Sequence, residues 1–178
     1  MIREIVKYGS KVLRRKADPV GGVSPATQSL IQDLFDSLEE ADGVGLAAPQ
    51  IGVSQRVIVV DVSATEQALP PIALTDPRIV IGEGMSIAEE GCLSIPEVYG
   101  DVQRYTHIEV EALDRNGALF KFSAEGFYAR VLQHEIDHLD GILFVDRISS
   151  LKRQLLRGAL KRLKKEGETW DRRHLPVG

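Results

Sequence analysis

An apolar helical segment with a cluster of five polar residues near its end places the strongest constraint on the fold of this chain. From Ser123 to about Leu139 apolar residues recur at helical spacing, with Ser123 as the predicted N-cap and Gly141 as the stop. Because buried polar groups need partners, we expect a central, largely buried helix whose polar side chains meet other elements. Those polar residues are Gln133, His134, Glu135, Asp137 and His138.

Two histidines in this segment have the spacing of a metal-binding pair. On a helix, residues i and i+4 lie one above the other, so His134 and His138 can bind one ion while Glu135 reaches a water on it. The alternative interpretation is that both histidines lie on a solvated helix face. A catalytic metal site needs a third protein ligand. The residues that can supply one are Cys92, Glu125, Asp137, Asp140 and Asp146.

Cys92 is the only thiol in the chain, and a thiolate is a strong ligand for zinc or ferrous iron. A lone cysteine is more often a small buried hydrophobic residue. Here Cys92 follows Gly91 and precedes Pro96, in a segment that we predict to be a loop able to turn toward a site. The sequence leaves both roles open for this residue.

A third unusual segment, residues 43–52, is rich in glycine and other small residues. A helix end followed by a tight turn accounts for Gly43, but it does not account for Gln50. The side-chain amide of Gln50 can donate a hydrogen bond to an oxyanion, and the small residues let a peptide-like ligand approach the main chain.

The remaining pattern predicts an α+β fold. A surface helix begins after the N-cap Ser24 and runs to Gly43, and Pro77 interrupts the second of two buried strands. We expect one domain over residues 1–178, in which the central metal-binding helix packs against mostly antiparallel sheets, with an N-terminal and a C-terminal helix. The predicted strands are 56–62, 72–81, and a hairpin of 107–113 with 118–122.

The C-terminal part of the chain is predicted to be a basic helix over residues 150–166, capped by Ser149 or Ser150, with a loose tail over residues 168–178. Residues 151–178 hold nine Lys and Arg against three Asp and Glu, whereas the whole chain has a net charge of −4. The basic helix is either a solvated face or an electrostatic patch for RNA.

The composition excludes several classes of protein. A chain of 178 residues that is 43% hydrophobic and 27% charged is typical of a folded domain rather than a disordered one. No apolar run approaches the ~20 residues that span a bilayer. One cysteine excludes an intrachain disulfide framework. We therefore expect a cytoplasmic protein with no membrane and no DNA partner.

Three segments together resemble one family, the peptide deformylases. The segments are GVGLAAPQ at residues 43–50, EGCLS at residues 90–94 and QHEIDHL at residues 133–139. They occur in the family's order and at compatible spacings, and the similarity extends over about residues 1–165. Tyr99, in the predicted loop after Cys92, stands where some relatives carry arginine. The basic helical C-terminus is similar to the branch of the family that is common in bacteria.

The resemblance implies a metal-dependent hydrolase that removes the formyl group from formylmethionine at the N-terminus of newly synthesised polypeptides. It implies that Cys92, His134 and His138 hold the metal and that a water is its fourth ligand. Glu135 then deprotonates that water, which attacks the formyl carbonyl, and formate is released. The ion implied is Fe2+, one per chain, although zinc, nickel or cobalt can replace it in purified protein.

The resemblance also implies how the substrate is held. The developing oxyanion is stabilised by the metal, by the Gln50 amide and by the main-chain N–H of Leu93. In relatives with this type of C-terminus the final helix docks on the ribosome, so the ribosome is a candidate partner beside N-formylmethionyl peptides. Residues that border the motifs are candidates for the substrate pocket: Val44, Gly45, Phe127 and Val131.

Two other functions are compatible with parts of this pattern. A metallopeptidase that cleaves internal peptide bonds shares the His-Glu-x-x-His device, but it has no need of a cysteine ligand and requires room for an extended peptide. A metal-stabilised module that binds ribosomes without catalysis needs neither Glu135 nor Gln50.

Overall fold

The computed structural model describes residues 1–175 and has the predicted α+β class. A five-stranded antiparallel sheet has the order β1-β2-β3-β6-β7, and β4 and β5 form a separate hairpin. The elements are α1 (Pro25–Glu40), β1 (Gly45–Ala47), β2 (Val57–Val60), β3 (Ile72–Glu83), β4 (Ser86–Cys92), β5 (Ile95–Arg104), β6 (His107–Leu113), β7 (Leu119–Glu125), α2 (Gly126–Leu139), α3 (Ser150–Leu155) and α4 (Arg157–His174).

The N-terminal helix α1 is confirmed with its predicted start. The Ser24 hydroxyl accepts a hydrogen bond from Thr27 N, and the Thr27 hydroxyl accepts one from Ser24 N, which completes a capping box before Pro25. The apolar side of α1 packs against β1 and β2, with Leu34 fully buried. This packing fixes the direction in which the chain enters the segment 43–52.

The predicted interruption of the second strand at Pro77 is a bulge in the ladder rather than a break in the strand. Strand β3 continues through it, and the ladder with β6 shifts register between Thr75 and Arg78. Asp76 has φ of 50°, and its N–H donates to Arg56 O instead of to the β6 ladder. A bulge therefore accommodates the proline, which has no N–H to offer the sheet.

The central helix is buried as predicted, but its predicted N-cap is wrong. Ser123 belongs to β7, where it pairs with Glu109, and α2 begins at Gly126 after Glu125. The alternation of apolar and polar residues in the hairpin continues past the predicted end of its second strand, so the ladder extends to Glu125. From Tyr128 onward every residue of α2 is buried, and Leu132, at 0% exposure, lies in the main core against the sheet.

Cys92 is not in a loop. It is the last residue of β4, and it pairs with Ile95 across a two-residue turn formed by Leu93 and Ser94. Tyr99, also predicted in a loop, lies in β5. Gly and Pro usually indicate a loop, but that rule fails here. Pro96 lies in β5, and in a sheet of only two strands one edge of β5 has no neighbouring strand that requires an N–H from the proline.

The C-terminal helix is longer than predicted and is broken once. The Ser149 hydroxyl caps α3, the helix breaks at Leu156, and α4 continues past the predicted end at residue 166 to His174. The predicted loose tail is thus wrong for residues 168–174, and residues 176–178 lie outside the described part of the chain. Trp170, 8% exposed, and Asp171 anchor this last stretch to the N-terminal segment and the core.

Crossing a bilayer takes a helix that is both long and apolar, and none of the helices within residues 1–175 combines the two properties.

Candidate active site

The structure brings one sulfur and two imidazole rings together. Helix α2 stacks His134 and His138 one turn apart, with their ring centroids 5.0 Å apart, and the β4 end carries Cys92 to them. Donor atoms of the three residues lie within 4.8 Å of one another, and Cys92 Sγ is 3.4 Å from His138 Nε2. This is the three-donor arrangement that the sequence left as one of several alternatives.

The four carboxylates that competed for the role of third ligand have other partners. Each forms an ion pair or hydrogen bond away from the two imidazoles, so the thiol is the donor that the fold delivers. The partners are Arg104 and Arg147 for Asp137, Arg56 for Asp140, Arg14 for Asp146, and His107 for Glu125.

Glu90, two residues before Cys92, orients the first histidine. Glu90 Oε1 lies 3.0 Å from His134 Nδ1, so the carboxylate holds a proton on Nδ1 and leaves Nε2 for the site. Burial alone would raise the pKa of Glu90, but hydrogen bonds from His134 and Arg104 lower it to about 2. Burial likewise opposes charge on His134, yet hydrogen bonds to Cys92 and Glu90 raise the pKa of that ring well above its ordinary value. A bound cation would take the place of the second proton of this ring, the one on Nε2.

The second histidine and the glutamate of the motif are buried among charges. The pKa of His138 lies well below its ordinary value, mainly because the ring is buried and secondly because His134 carries a positive charge beside it. This ring is therefore in the neutral form that binds metals. Burial raises the pKa of Glu135 to about 7. Among residues 1–175, Glu135 Oε2 is one of four buried side-chain nitrogen or oxygen atoms without a hydrogen-bond partner. A carboxylate of that kind is able to exchange a proton near neutral pH.

A network of ion pairs lies beneath the metal-ligand group. Arg104, 3% exposed in its side chain, donates two hydrogen bonds to Glu90 and one, of 2.5 Å, to Asp137. Arg130 donates to Glu90 at 2.8 Å, and Arg147 donates to both oxygens of Asp137. The network joins β4, β5 and α2, and it fixes the β4 end relative to the two histidines.

Replacing Arg104 with methionine is expected to lower the free energy of unfolding by about 3 kcal/mol, because it leaves buried carboxylates short of a partner. Urea denaturation measures the loss. The control is Arg78→Met, which removes an ion pair to Glu111 from a side chain that is 68% exposed and should change stability far less. Equal losses in the two variants would contradict a structural role for the network.

Gln50 and Leu93 lie beside the same group. The chain places Gln50 in a short 3-10 helix, Ala48–Ile51, and its Oε1 accepts from Ala47 N at 2.9 Å. This hydrogen bond directs Gln50 Nε2 toward Ser94 Oγ, 3.2 Å away, and toward Cys92 Sγ, 3.5 Å away. The amide nitrogen therefore faces the site, next to the turn that contains Leu93.

A cavity of about 560 Å³ opens on these residues and is lined by all four predicted pocket residues. Phe127 is exposed at its rim, whereas Val131 is buried in the main core as well as in the cavity wall. Gly45 has a different role from the one its position suggested: a Cβ there would lie 2.6 Å from Glu135 Oε1. The missing side chain makes room for the carboxylate of Glu135.

The donor set fits a divalent transition metal. One thiolate and two imidazoles are ligands that zinc and ferrous iron both accept, and Glu90 supplies the outer hydrogen bond that such histidines commonly make. Three protein ligands, with an open cavity beside them, correspond to a catalytic site rather than to a closed structural one.

Sequence reasoning missed the residues that support the ligands. Glu90, Arg104 and Arg130 were assigned no role, although an arginine in the middle of an apolar helix is a signal that a buried carboxylate faces it. Lys7 also lines the cavity, and no pattern in the sequence indicates that the N-terminal segment reaches the site.

Comparison with known proteins agrees with this geometry. The profile of the polypeptide deformylase family matches residues 2–154, which include every predicted site residue. The chain belongs to the polypeptide deformylase family. It is 44% identical over 168 residues to a peptide deformylase of Acidobacterium capsulatum, covering 94% of this chain and 99% of the relative, and 47% identical over 160 residues to one of Thermodesulfovibrio yellowstonii, covering 90% and 97%.

Solved deformylase structures have the same fold. A peptide deformylase from Legionella pneumophila superposes with a TM-score of 0.85 at 45% sequence identity, covering 93% of this chain and 96% of the other. This deformylase is therefore an enzyme of a metal-dependent hydrolase family. Helix α4 begins after residue 154, where the match to the family profile ends.

Proposed function

We propose that this deformylase removes the formyl group from an N-terminal formylmethionine of newly synthesised polypeptides and releases formate. The observation that carries the proposal is the grouping of the Cys92, His134 and His138 donors next to a cavity that Cys92, His134 and Glu135 line. The alternative of an endopeptidase is not favoured by the family comparisons. A cytoplasmic location follows from this substrate, and cell fractionation tests it.

Glu135 is the general base and then the general acid. Its buried carboxylate, with a pKa of about 7, takes a proton from the attacking water and returns it to the leaving amine nitrogen. Water and the formyl amide are consumed, the C–N bond breaks, and the products are formate and a peptide with a free amine. No covalent bond to the enzyme is needed.

Gln50 and Leu93 stabilise the charge that develops on the formyl oxygen. The Gln50 amide faces the site because its oxygen is fixed by Ala47 N, and the main-chain N–H of Leu93 lies in the adjacent turn. Donors fixed in advance lower the barrier most, because they need no reorganisation during the reaction.

Cys92, His134 and His138 would hold the metal, and we propose Fe2+ as the native ion on the basis of the family resemblance. A divalent cation there supplies Lewis acidity, which polarises a carbonyl and makes water easier to deprotonate. Anaerobic metal analysis, combined with formate release from the same sample, tests the choice of iron over zinc, nickel or cobalt. Activity that follows zinc content instead would reject iron.

The methionine side chain enters the apolar part of the cavity. Val44, Phe127 and Val131 line this part, and the exposed position of Phe127 at the rim lets it cover a bound side chain. Gly45 contributes by leaving space for Glu135 and by allowing the peptide main chain to come close.

The assay that tests the function compares formate release from formyl-Met-Ala-Ser with cleavage of casein. Formate release without casein cleavage is expected. Casein cleavage without formate release would establish the endopeptidase alternative, and loss of both in a metal-loaded sample would leave the protein as a binding module.

Replacing Gly45 with alanine is expected to lower kcat for formate release by about 100-fold, because the new Cβ displaces the Glu135 carboxylate. Steady-state kinetics measure the change. The control is Gly22→Ala, since a Cβ at Gly22 meets no atom within 4 Å among the described residues. An unchanged kcat in Gly45→Ala would show that Glu135 tolerates the shift and would contradict its assigned position.

We also propose that the basic C-terminal region docks on the ribosome. Four cations line a cleft of about 530 Å³ between α3 and α4: Arg153, Arg157, Lys161 and Lys164. Binding to ribosomal RNA would depend on salt, since it releases counterions. The double variant Arg157→Glu, Lys161→Glu should lose co-sedimentation with ribosomes, and unchanged co-sedimentation would reject the docking.

A further inference from the structure

Helix α4 packs directly on the N-terminal segment, residues 6–11. A Cβ on Gly167 would lie 2.3 Å from Ser10 N, 2.4 Å from Tyr8 O and 2.5 Å from Lys7 O, so the absence of a side chain lets helix and segment touch. Four residues after Gly167, the Asp171 carboxylate accepts a hydrogen bond from Ser10 Oγ at 2.5 Å and another from the main-chain N–H of Lys11 at 2.9 Å. The position of the segment is thus fixed by α4.

The same segment is bound to both elements that carry the oxyanion donors. Val6 N donates to Gln50 O at 2.8 Å. On the other side, Tyr8 N donates to Ser94 O at 2.8 Å, and Lys7 Nζ donates to Leu93 O at 3.1 Å. Three hydrogen bonds from consecutive residues therefore hold the backbones of Gln50 and of the Leu93–Ser94 turn.

A second contact from α4 reaches the Gln50 element. Gly52, with φ of +82°, ends the short helix that contains Gln50, and a Cβ there would lie 2.8 Å from the Trp170 ring. Trp170 is buried in the cluster that also contains Val6. Helix α4 therefore lies behind the Gln50 side of the site. It reaches Gln50 through residues 6–11 and through Gly52, and not by direct contact with the Gln50 side chain.

We infer that α4 is a positioning element for the catalytic site: Gly167 and Asp171 act through residues 6–11 to hold Gln50 and Leu93 where they can donate to the substrate oxygen. The inference rests on the proposed function, because it uses the oxyanion role of those two residues. It gives a second role to a helix whose outer face is the proposed ribosome-docking surface, and which lies beyond the match to the family profile.

The test compares the same substitution at two glycines of one helix. Gly167→Ala forces α4 away from residues 6–11, whereas a Cβ at the exposed Gly158 meets only Arg162 Nη1, at 3.9 Å. With the metal-loaded full-length enzyme and formyl-Met-Ala-Ser, kcat should fall about 10-fold in Gly167→Ala, with KM and bound metal unchanged, and should not fall in Gly158→Ala. Equal kcat values well below the unfolding temperature would overturn the inference, even if Gly167→Ala is less stable.

Asp171 provides a second variant should Gly167→Ala fail to fold. Asp171→Ala should lower kcat at constant KM, and Asp171→Asn, which keeps one acceptor oxygen, should restore part of it. An Asp171→Ala enzyme with wild-type kcat would overturn the inference.

Amide hydrogen exchange separates this inference from the proposed function. Exchange at Val6 and Tyr8 should accelerate in the same variants while exchange in the five-stranded sheet stays slow. These exchange rates are measured without turnover. Failure of the wild-type enzyme to release formate would therefore reject the proposed function but not the positioning role of α4. Unchanged exchange at both amides would reject the positioning role alone.

Discussion

Glu135→Gln is expected to lower kcat for formate release by about 10³-fold, which lies within the usual range for loss of a general acid-base group. Glutamine has nearly the same shape, so the cavity and the packing against Gly45 are preserved. The variant cannot take a proton from water or return one to the leaving amine. Steady-state formate release, measured at equal metal content, gives the size of the effect.

Metal content is the internal control for this variant. Glu135 is absent from the Cys92, His134 and His138 donor group, so Glu135→Gln should retain one ion per chain. Full activity in the metal-loaded variant would exclude Glu135 as the base. Loss of metal together with activity would show instead that this carboxylate is a ligand.

Cys92→Ala should produce the opposite pattern. Removing a direct ligand should weaken metal binding by more than the ~100-fold that changes in outer hydrogen bonds typically cause, and turnover should be lost with the metal. Gel filtration followed by elemental analysis measures the retained ion. The Ala side chain fits the space of the sulfur, so the fold should remain.

Excess metal makes the Cys92 experiment decisive. If Cys92→Ala keeps a stoichiometric ion after gel filtration, the thiol is not a ligand. If added metal restores turnover without stable binding, the thiol serves affinity rather than the reaction itself.

Local patterns predicted the elements whose determinants lie close together in sequence. The Ser24 cap, the hairpin that begins at His107 and the one-turn spacing of His134 and His138 all depend on neighbours within a few residues, and all were found. Ser123 was misassigned because a serine before an apolar run predicts a helix cap, whereas pairing with Glu109 across the hairpin decides the matter.

The residues that complete the site depend on contacts between distant segments. The sequence offered five possible third ligands because nothing in it shows that Arg104, Arg56 and Arg14 pair with the competing carboxylates. The predicted end of the basic helix at residue 166 rests on Gly167, since glycine commonly follows helices. In the folded chain its role is close approach to residues 6–11, which no periodicity in α4 reveals.

The separate β4–β5 hairpin has a consequence for how the protein keeps its shape. Its strands share no ladder with the five-stranded sheet, yet its tip supplies the sulfur, and helix α2 supplies both rings. A cation bound there acts as a cross-link between two parts of the fold that lie far apart along the chain. Because an unfolded chain has no such preformed site, the resistance of this enzyme to heat should rise with the concentration of free metal.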